Sequence, residues 1–209
     1  MCLAPCAVGA VGPDAVARAL GIDWRIEPCV GHFMVGTYPA ASDVPLREVP
    51  DDNRPQISAA RDCEVECMLG PNDDWLDTAS IDMFFASEWI VQSKSSRTGI
   101  RLTGPQFAFA ERALNKRPEH GQDPSNILDH GYPLGTINLA GQTPIILIND
   151  APSTGGFINP FTVPSAAFWK LGQARPHNAL RFNRVTLHEA QEMRRALDAR
   201  CTLAALHDL

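Results

Sequence analysis

Hydrophobic and polar positions alternate in short stretches along most of the chain from Cys63 onward. The run CEVECMLG alternates as a half-buried strand does, and Gly70 ends it. The following DTASIDMFFASEW changes to helical spacing, with Phe84 and Phe85 on one apolar stripe. Asp77 stands directly before this stripe, where a side-chain oxygen can accept the free amides of a first helical turn. We therefore predict a strand, and then a helix capped by Asp77 whose apolar stripe lies in the core.

Further strands are predicted where β-branched and apolar residues alternate between turn formers. These runs are WIVQSKSS, TGIRLTG, GTINLAG, TPIILIND and ALRFNRV. Short helices are predicted in FTVPSAAFWKLGQ, capped by Ser165, and at the end of the chain, where Thr186 and Glu189 have capping-box spacing. Many short strands with brief helices predict a mainly β fold with a closed sheet or barrel. The residues expected to be mostly buried are Phe84, Phe85, Trp89, Ile146, Leu147, Phe168 and Leu171.

Two segments have the composition of irregular structure. Residues 43–55 are rich in proline, which removes backbone donors, and residues 111–133 are polar and rich in Asn, Asp, Gly and Pro. We predict an irregular N-terminal extension over residues 1–57 and one domain over residues 58–209. The 111–133 segment is expected to be a long loop, and loops of more than about 15 residues within a domain are often functional.

Composition narrows the classes of partner. The 209 residues are 44% hydrophobic and 20% charged, as in globular proteins, and the formal net charge is −6. Phosphate binding needs a concentrated basic surface, so a nucleic-acid partner is not expected. No apolar run has the length of a membrane span, and no basic residues precede the apolar N-terminus, so we expect a cytoplasmic protein without a membrane partner.

The cysteines do not have the spacing of a zinc site or a redox pair. We expect reduced and mostly buried thiols, with Cys63 and Cys67 on the same side of their strand. The six cysteines are Cys2, Cys6, Cys29, Cys63, Cys67 and Cys201. The histidines are not grouped with thiols or carboxylates at ligand spacing, so no metal site and no cofactor are predicted.

Polar side chains that can orient a ligand and transfer a proton are concentrated in residues 123–135. They are Ser125, Asn126, Asp129, His130 and Tyr132. The alternative interpretation is a loop whose side chains bind its own backbone. A second stretch, residues 149–157, offers Thr154 and the pair Gly155 and Gly156, whose backbone could approach a ligand closely or could simply form a turn.

Two permanent cations, Arg97 and Arg101, lie in the stretch SSRTGIRLTGP. Strand periodicity alone is consistent with an exposed strand face. A guanidinium is most useful, however, where its donors bind a carboxylate or carbonyl as a fork. Both interpretations are kept open on the residues alone.

Five ordered motifs carry a resemblance to a known family. They are FFASEWIV, SSRTGIRLTGP, PSNILDHGYPLGTI, PIILINDAPSTGGF and FWKLGQ. From about Cys63 to Arg184 the chain resembles the carboxyltransferase region of urea carboxylase and urea amidolyase, the allophanate hydrolase subunit 2-like family. The resemblance implies a cyclophilin-like β-barrel, without implying prolyl isomerase activity. The chain shows no counterpart of the biotin carboxylase or biotin-carrying domains, so we expect it not to be a complete urea carboxylase.

The chain departs from the family pattern at three positions. Ser96 stands where the family has asparagine, Gln106 where it has lysine, and Asp123 where it has histidine. An amide donor and a cation that would help to hold a carboxylate-like substrate are thereby replaced. The positions that match are Arg97, Gly99, Arg101, Ser125, Asn126, Asp129, Tyr132, Gly155 and Gly156.

These features favour a stand-alone enzyme for a small-molecule substrate that performs cofactor-independent acid/base chemistry: cyclisation, isomerisation, dehydration or hydrolysis, for instance in specialised metabolism. Asp129 and His130 are the predicted proton carriers, and Arg97 would anchor a carbonyl or carboxylate. The predicted substrate-binding residues are Arg101, Ser125, Asn126, Tyr132, Thr154, Gly155 and Gly156. The alternatives are an accessory carboxyltransferase subunit that receives biotin from a partner, and a non-catalytic binding remnant. The sequence leaves open whether the chain forms a homo-oligomer.

Overall fold

The computed structural model describes residues 47–54 and 62–208. The predictions made for residues 1–46, including the thiols of Cys2, Cys6 and Cys29, lie outside the described residues, as do those for residues 55–61. The chain divides into two compact units, residues 56–197 and a second unit that combines the chain up to residue 55 with residues 198–209.

Within the described residues the secondary structure is mainly β. The strands are β1 (Arg47–Glu48), β2 (Asp62–Leu69), β3 (Glu88–Val91), β4 (Gly99–Thr103), β5 (Asn126–Gly131), β6 (Thr136–Ala140), β7 (Thr143–Leu147), β8 (Thr154–Thr162), β9 (Ala179–Arg184) and β10 (His207–Asp208). The α-helices are α1 (Thr78–Ala86), α2 (Glu111–Leu114), α3 (Phe168–Leu171) and α4 (Leu187–Arg200). Short 3-10 helices occupy Asp51–Asn53, Asp73–Trp75, Pro118–His120, Ser165–Ala167 and Leu203–Ala205.

Seven strands of the larger unit close into a barrel. The strand order is β2-β9-β3-β4-β7-β6-β8-β5, and β2 also pairs with β8, which closes the ring and leaves β5 outside it, paired to β8. Strands β2 and β9 run parallel, whereas the other pairs are antiparallel. The predicted fold class, a mainly β barrel with short helices and a C-terminal helix, is confirmed.

Aromatic rings fill the centre of the barrel. The ring of Phe84 stacks on Phe161 with centroids 3.8 Å apart and on Phe182 at 4.7 Å, and Trp89 donates its indole N–H to the Phe84 carbonyl at 2.9 Å. Most of the predicted core is buried, and two of its members are half-buried because they pack at its margin: Phe84, Trp89, Ile146, Leu147 and Leu171 are buried, and Phe85 and Phe168 are half-buried.

Two helix starts follow the predicted capping chemistry. The Asp77 carboxylate accepts from the Ser80 amide at 2.7 Å and begins α1. Thr186 and Glu189 exchange side-chain and backbone bonds at the start of α4, which is a capping box. The prediction for Ser165 is wrong, because its 3-10 helix begins after Pro164 and the Ser165 hydroxyl caps no amide.

The prediction of a long loop over residues 111–133 is also wrong. That segment contains α2, a 3-10 helix and the strand β5. β5 pairs antiparallel with β8, with Asn126 opposite Phe157 and His130 opposite Gly155, and the register shifts between these pairs. The second predicted loop ends early for the same reason, because β8 begins at Thr154. Pairing between distant segments here outweighs a local composition typical of loops.

The smaller unit contains the pair β1 and β10, which run antiparallel. Asn53 donates its side-chain amide to the Ala205 carbonyl at 3.3 Å. Three thiols lie in the described residues, and all are free: Cys67 is buried, Cys63 half-buried and Cys201 exposed. No helix within residues 47–54 and 62–208 combines the length and apolar character that crossing a membrane requires.

Candidate functional site

Two turns meet at one end of the barrel and bring Arg97 to an acidic partner. The Arg97 carbonyl accepts from the Asp150 amide at 3.0 Å, and the Thr98 carbonyl accepts from Ile148 at 3.4 Å, so the turn before β4 lies against the segment after β7. Across this contact, Arg97 Nε donates to Asp150 Oδ2 at 2.6 Å and Nη2 donates to Oδ1 at 3.0 Å. The hydrogen bond to Asp150 raises the pKa of Arg97 further above its ordinary value.

Sequence reasoning missed Asp150 as a member of this site. The residue lies inside the motif PIILINDAPSTGGF, in the loop that begins after β7 ends at Leu147, and loops after strands are a common place for functional polar groups. Both side chains of the pair are about half exposed, with relative exposures of 64% for Arg97 and 53% for Asp150. The ion pair therefore orients the guanidinium where solvent and small molecules can reach it.

Arg101 lies apart from this pair. Its neighbours in β4, Ile100 and Leu102, are buried in the core, whereas Arg101 is exposed on the outer side of the strand. Its backbone is fixed by Ser95, whose hydroxyl accepts from the Arg101 amide at 3.0 Å. The two arginines thus do not form one cationic site through any contact in the described residues.

The pair Gly155 and Gly156 makes room for side chains of β5 and the residues that follow it. A Cβ added to Gly155 would lie 2.5 Å from the ring of Tyr132, and one added to Gly156 would lie 3.3 Å from Asp129 Oδ1 and 3.1 Å from the Ile127 carbonyl oxygen. Successive residues of a strand face opposite sides. Tyr132 and Asp129 consequently pack on opposite faces of β8.

Tyr132 and His130 converge on the backbone of Phe157. The buried Tyr132 hydroxyl accepts from the Phe157 amide and donates to the Phe157 carbonyl at 3.2 Å. His130 Nε2 lies 3.0 Å from the same carbonyl, and the two rings meet edge to face with centroids 5.3 Å apart. Burial raises the pKa of Tyr132, which keeps its hydroxyl protonated and able to donate.

Ser125 and Asp123 organise the start of β5. Ser125 is fully buried, and its hydroxyl donates to Asp123 Oδ1 at 2.7 Å and accepts from the Gly141 amide at 2.9 Å. Asp123 Oδ1 also accepts from the Ser125 amide at 2.8 Å, and the side-chain bond from Ser125 is the main cause of a lowered pKa for Asp123. Lys116 donates to the carbonyls of Asp123 and Asn126, the latter at 2.7 Å.

Several of the predicted site residues keep polar atoms available. Asp129 is exposed, the half-buried Asn126 has a side-chain amide that makes no hydrogen bond to any described residue, and Thr154 is exposed at the start of β8. Ser96, within the stretch SSRTGIRLTGP, and Gln106, directly after it, are also exposed. The Ser96 hydroxyl accepts from the Thr98 amide at 3.3 Å.

Comparison with known proteins places this barrel among the carboxyltransferase domains. The family model described as carboxyltransferase domain, subdomain A and B, matches residues 35–184, and the chain belongs to this family. The urea amidolyase of Saccharomyces cerevisiae is 34% identical over 154 residues, which are 73% of this chain and 8% of that protein. A subunit of the Escherichia coli 5-oxoprolinase is 30% identical over 132 residues, 62% of this chain and 38% of that protein.

Solved structures agree with the sequence comparison. The crystal structure of the Kluyveromyces lactis urea carboxylase superposes with a TM-score of 0.65 at 31% identity, covering 77% of this chain and 14% of that one. The chain thus spans a small part of these enzymes. It is a carboxyltransferase-like barrel related to urea carboxylase and to a 5-oxoprolinase subunit, and the predicted resemblance is confirmed.

Proposed function

We propose that the chain binds a small molecule bearing a carbonyl or carboxyl group at the barrel end formed by the turns around Arg97 and Asp150, and that it acts on this molecule by acid/base chemistry. The observation that carries the proposal is the two-point ion pair between these residues. A solvent-accessible guanidinium held at a fixed angle can polarise an oxygen as charge develops on it.

The number of N–H groups on the Arg97 guanidinium supports its proposed role in binding a ligand oxygen. A guanidinium has five N–H groups, and Asp150 engages Nε and Nη2, so donors remain on the outer edge of the fork. Because Asp150 already balances the charge, a neutral carbonyl or amide oxygen suits this edge better than a second carboxylate would. Cyclisation, isomerisation, dehydration and hydrolysis all need a proton moved beside such a polarised group. Asp129 and His130 are the two proposed carriers, and because Asp129 packs on the other face of β8 from Tyr132 and its neighbour His130, we propose that one of them acts alone.

A second candidate function is that of an accessory carboxyltransferase subunit served by a biotin-bearing partner. The observation that favours it is the match to a protein that is itself one subunit of a 5-oxoprolinase. Ser96 and Gln106 weigh against it, since they replace an amide donor and a cation near the same turn.

The two functions are separated by binding and turnover measurements. Ligands would be identified by saturation-transfer NMR with a library of small amides, ureas and carboxylates, and their affinities measured by calorimetry. Replacing Arg97 by Lys should weaken binding, because a point charge cannot reproduce the fork. The matched variant Arg101→Lys should bind as the wild type does. Equal weakening in both variants, or no ligand in the library, would contradict the proposal, and urea carboxylation on adding a biotinylated carrier would favour the second function.

A further inference from the structure

The backbone of Phe157 makes three polar contacts with two side chains. Tyr132 uses its hydroxyl both as acceptor for the Phe157 amide and as donor to the Phe157 carbonyl, and His130 approaches the same carbonyl with Nε2 at 3.0 Å. A carbonyl oxygen only accepts, so the nitrogen facing it must carry the proton. The neutral imidazole of His130 therefore has its hydrogen on Nε2 and its lone pair on Nδ1.

We propose that Tyr132 is a positioning residue that, through the Phe157 backbone, holds His130 in the Nε2-protonated form and keeps Nδ1 as the proton acceptor of this site. The hydroxyl of Tyr132 fixes the carbonyl to which Nε2 donates, and its ring supports the imidazole edge to face at 5.3 Å. Nδ1 makes no hydrogen bond or ion pair to any residue that the structure describes.

The inference deepens the proposed acid/base function, on which the catalytic use of Nδ1 rests. When Nδ1 accepts a proton from a bound ligand, the ligand keeps the electron pair and the ring becomes an imidazolium. The Nε2–H group still donates to the Phe157 carbonyl, and this bond strengthens because the donor is then charged. Asp129, which packs against the opposite face of β8, is not placed to share this task with His130.

The geometry offers matched substitutions on the two faces of β8. Gly155→Ala would drive a methyl group to within 2.5 Å of the Tyr132 ring and displace it, while the hydroxyl is retained. Gly156→Ala adds the same group on the other face, toward Ile127 and Asp129. Tyr132→Phe removes the hydroxyl but keeps the ring.

The test is a two-bond proton-nitrogen NMR correlation of the full chain at about pH 8.5, where an ordinary imidazole is neutral. His130→Gln assigns the signals, and the chain unfolded in urea gives the averaged reference. In the wild type and in Gly156→Ala, Nε2 should show the fully protonated shift and Nδ1 the fully unprotonated one. In Tyr132→Phe and Gly155→Ala both shifts should move toward the averaged values.

Averaged shifts or a protonated Nδ1 in the wild type would overturn the proposal, as would wild-type shifts in both Tyr132→Phe and Gly155→Ala. If one of these two variants does not fold, the shifts of the other variant and of the wild type still decide whether the proposal holds. The measurement uses no substrate, so its result is independent of whether the proposed reaction is found. A fixed tautomer in a chain without activity would count against the proposed function alone.

Discussion

Ser125→Ala tests the hydrogen-bond system that begins β5. The hydroxyl is fully buried, donates to Asp123 Oδ1 at 2.7 Å and accepts from the Gly141 amide at 2.9 Å. The substitution leaves that amide without its acceptor and removes a donor from a carboxylate. A buried unsatisfied donor costs about 1–3 kcal/mol, and a hydrogen bond to a charged group contributes about 1.5–3 kcal/mol. Because Asp123 is partly exposed and water can replace its lost partner, we expect a total loss of about 2–3 kcal/mol.

The assay is urea denaturation followed by tryptophan fluorescence, with a thermal melt as a second measurement. At about 2–4 °C per kcal/mol, the melting temperature should fall by roughly 4–12 °C. Ser165→Ala is the matched control, since Ser165 is exposed and its hydroxyl caps no amide; its free energy of unfolding should change by less than about 0.5 kcal/mol. A Ser125→Ala variant as stable as this control would refute the reasoning.

The hydrogen bonds between Ser125 and Asp123 also predict how the free energy of unfolding depends on pH. The pKa of Asp123 is lowered first of all by the Ser125 hydroxyl and amide. A group whose pKa falls on folding adds stability above its unfolded pKa, near 3.9 for Asp, and that stability is lost as the pH drops through the folded value. The stability difference between wild type and Ser125→Ala should therefore be largest near neutral pH and shrink below about pH 4. A difference that stays constant from neutral pH to pH 3 would show that Asp123 does not take part.

Two further predictions concern a helix start and the thiols. Asp77→Ala removes the acceptor of the Ser80 amide and should cost about 1 kcal/mol of unfolding free energy, measured by urea denaturation; an unchanged midpoint would show that the cap is not needed. Cys67 is buried and burial raises its pKa, so peptide mass spectrometry after brief alkylation should find Cys201 modified and Cys67 unmodified until the chain is unfolded; early modification of Cys67 would mean that β2 opens readily.

The local alternation of apolar and polar residues was sufficient to predict most strands of the barrel. The strands β2, β3, β4, β6, β7 and β9 all lie where alternation predicted them. Asp77 and the pair Thr186 and Glu189 were predictable as caps because capping depends on side chains within one turn. These features are decided by residues that are close together in sequence.

β5 and the ion pair at Arg97 depend on residues that are far apart in sequence. The run NILDHG has two adjacent apolar residues and no alternation, and it becomes a strand because β8 supplies a partner. The sequence left the glycines opposite β5 open between close approach to a ligand and a turn, and it gave no sign that their missing side chains make room for Tyr132 and Asp129. The partner of Arg97 could not be read from the sequence either, because the strands β4 to β7 lie between Arg97 and Asp150 along the chain.

The closure of the barrel has a consequence for how the chain acquires its structure. Among the strands described for the larger unit, β2 is synthesised first, yet its parallel partner β9 follows about 120 residues later and its other partner, β8, about 95 residues later. At roughly 5–20 residues per second, a ribosome needs about 6–24 s to synthesise the residues from β2 to β9. Both edges of this half-buried strand lack these partners until β8 is made, and the edge that pairs with β9 stays open to aggregation for the longer interval.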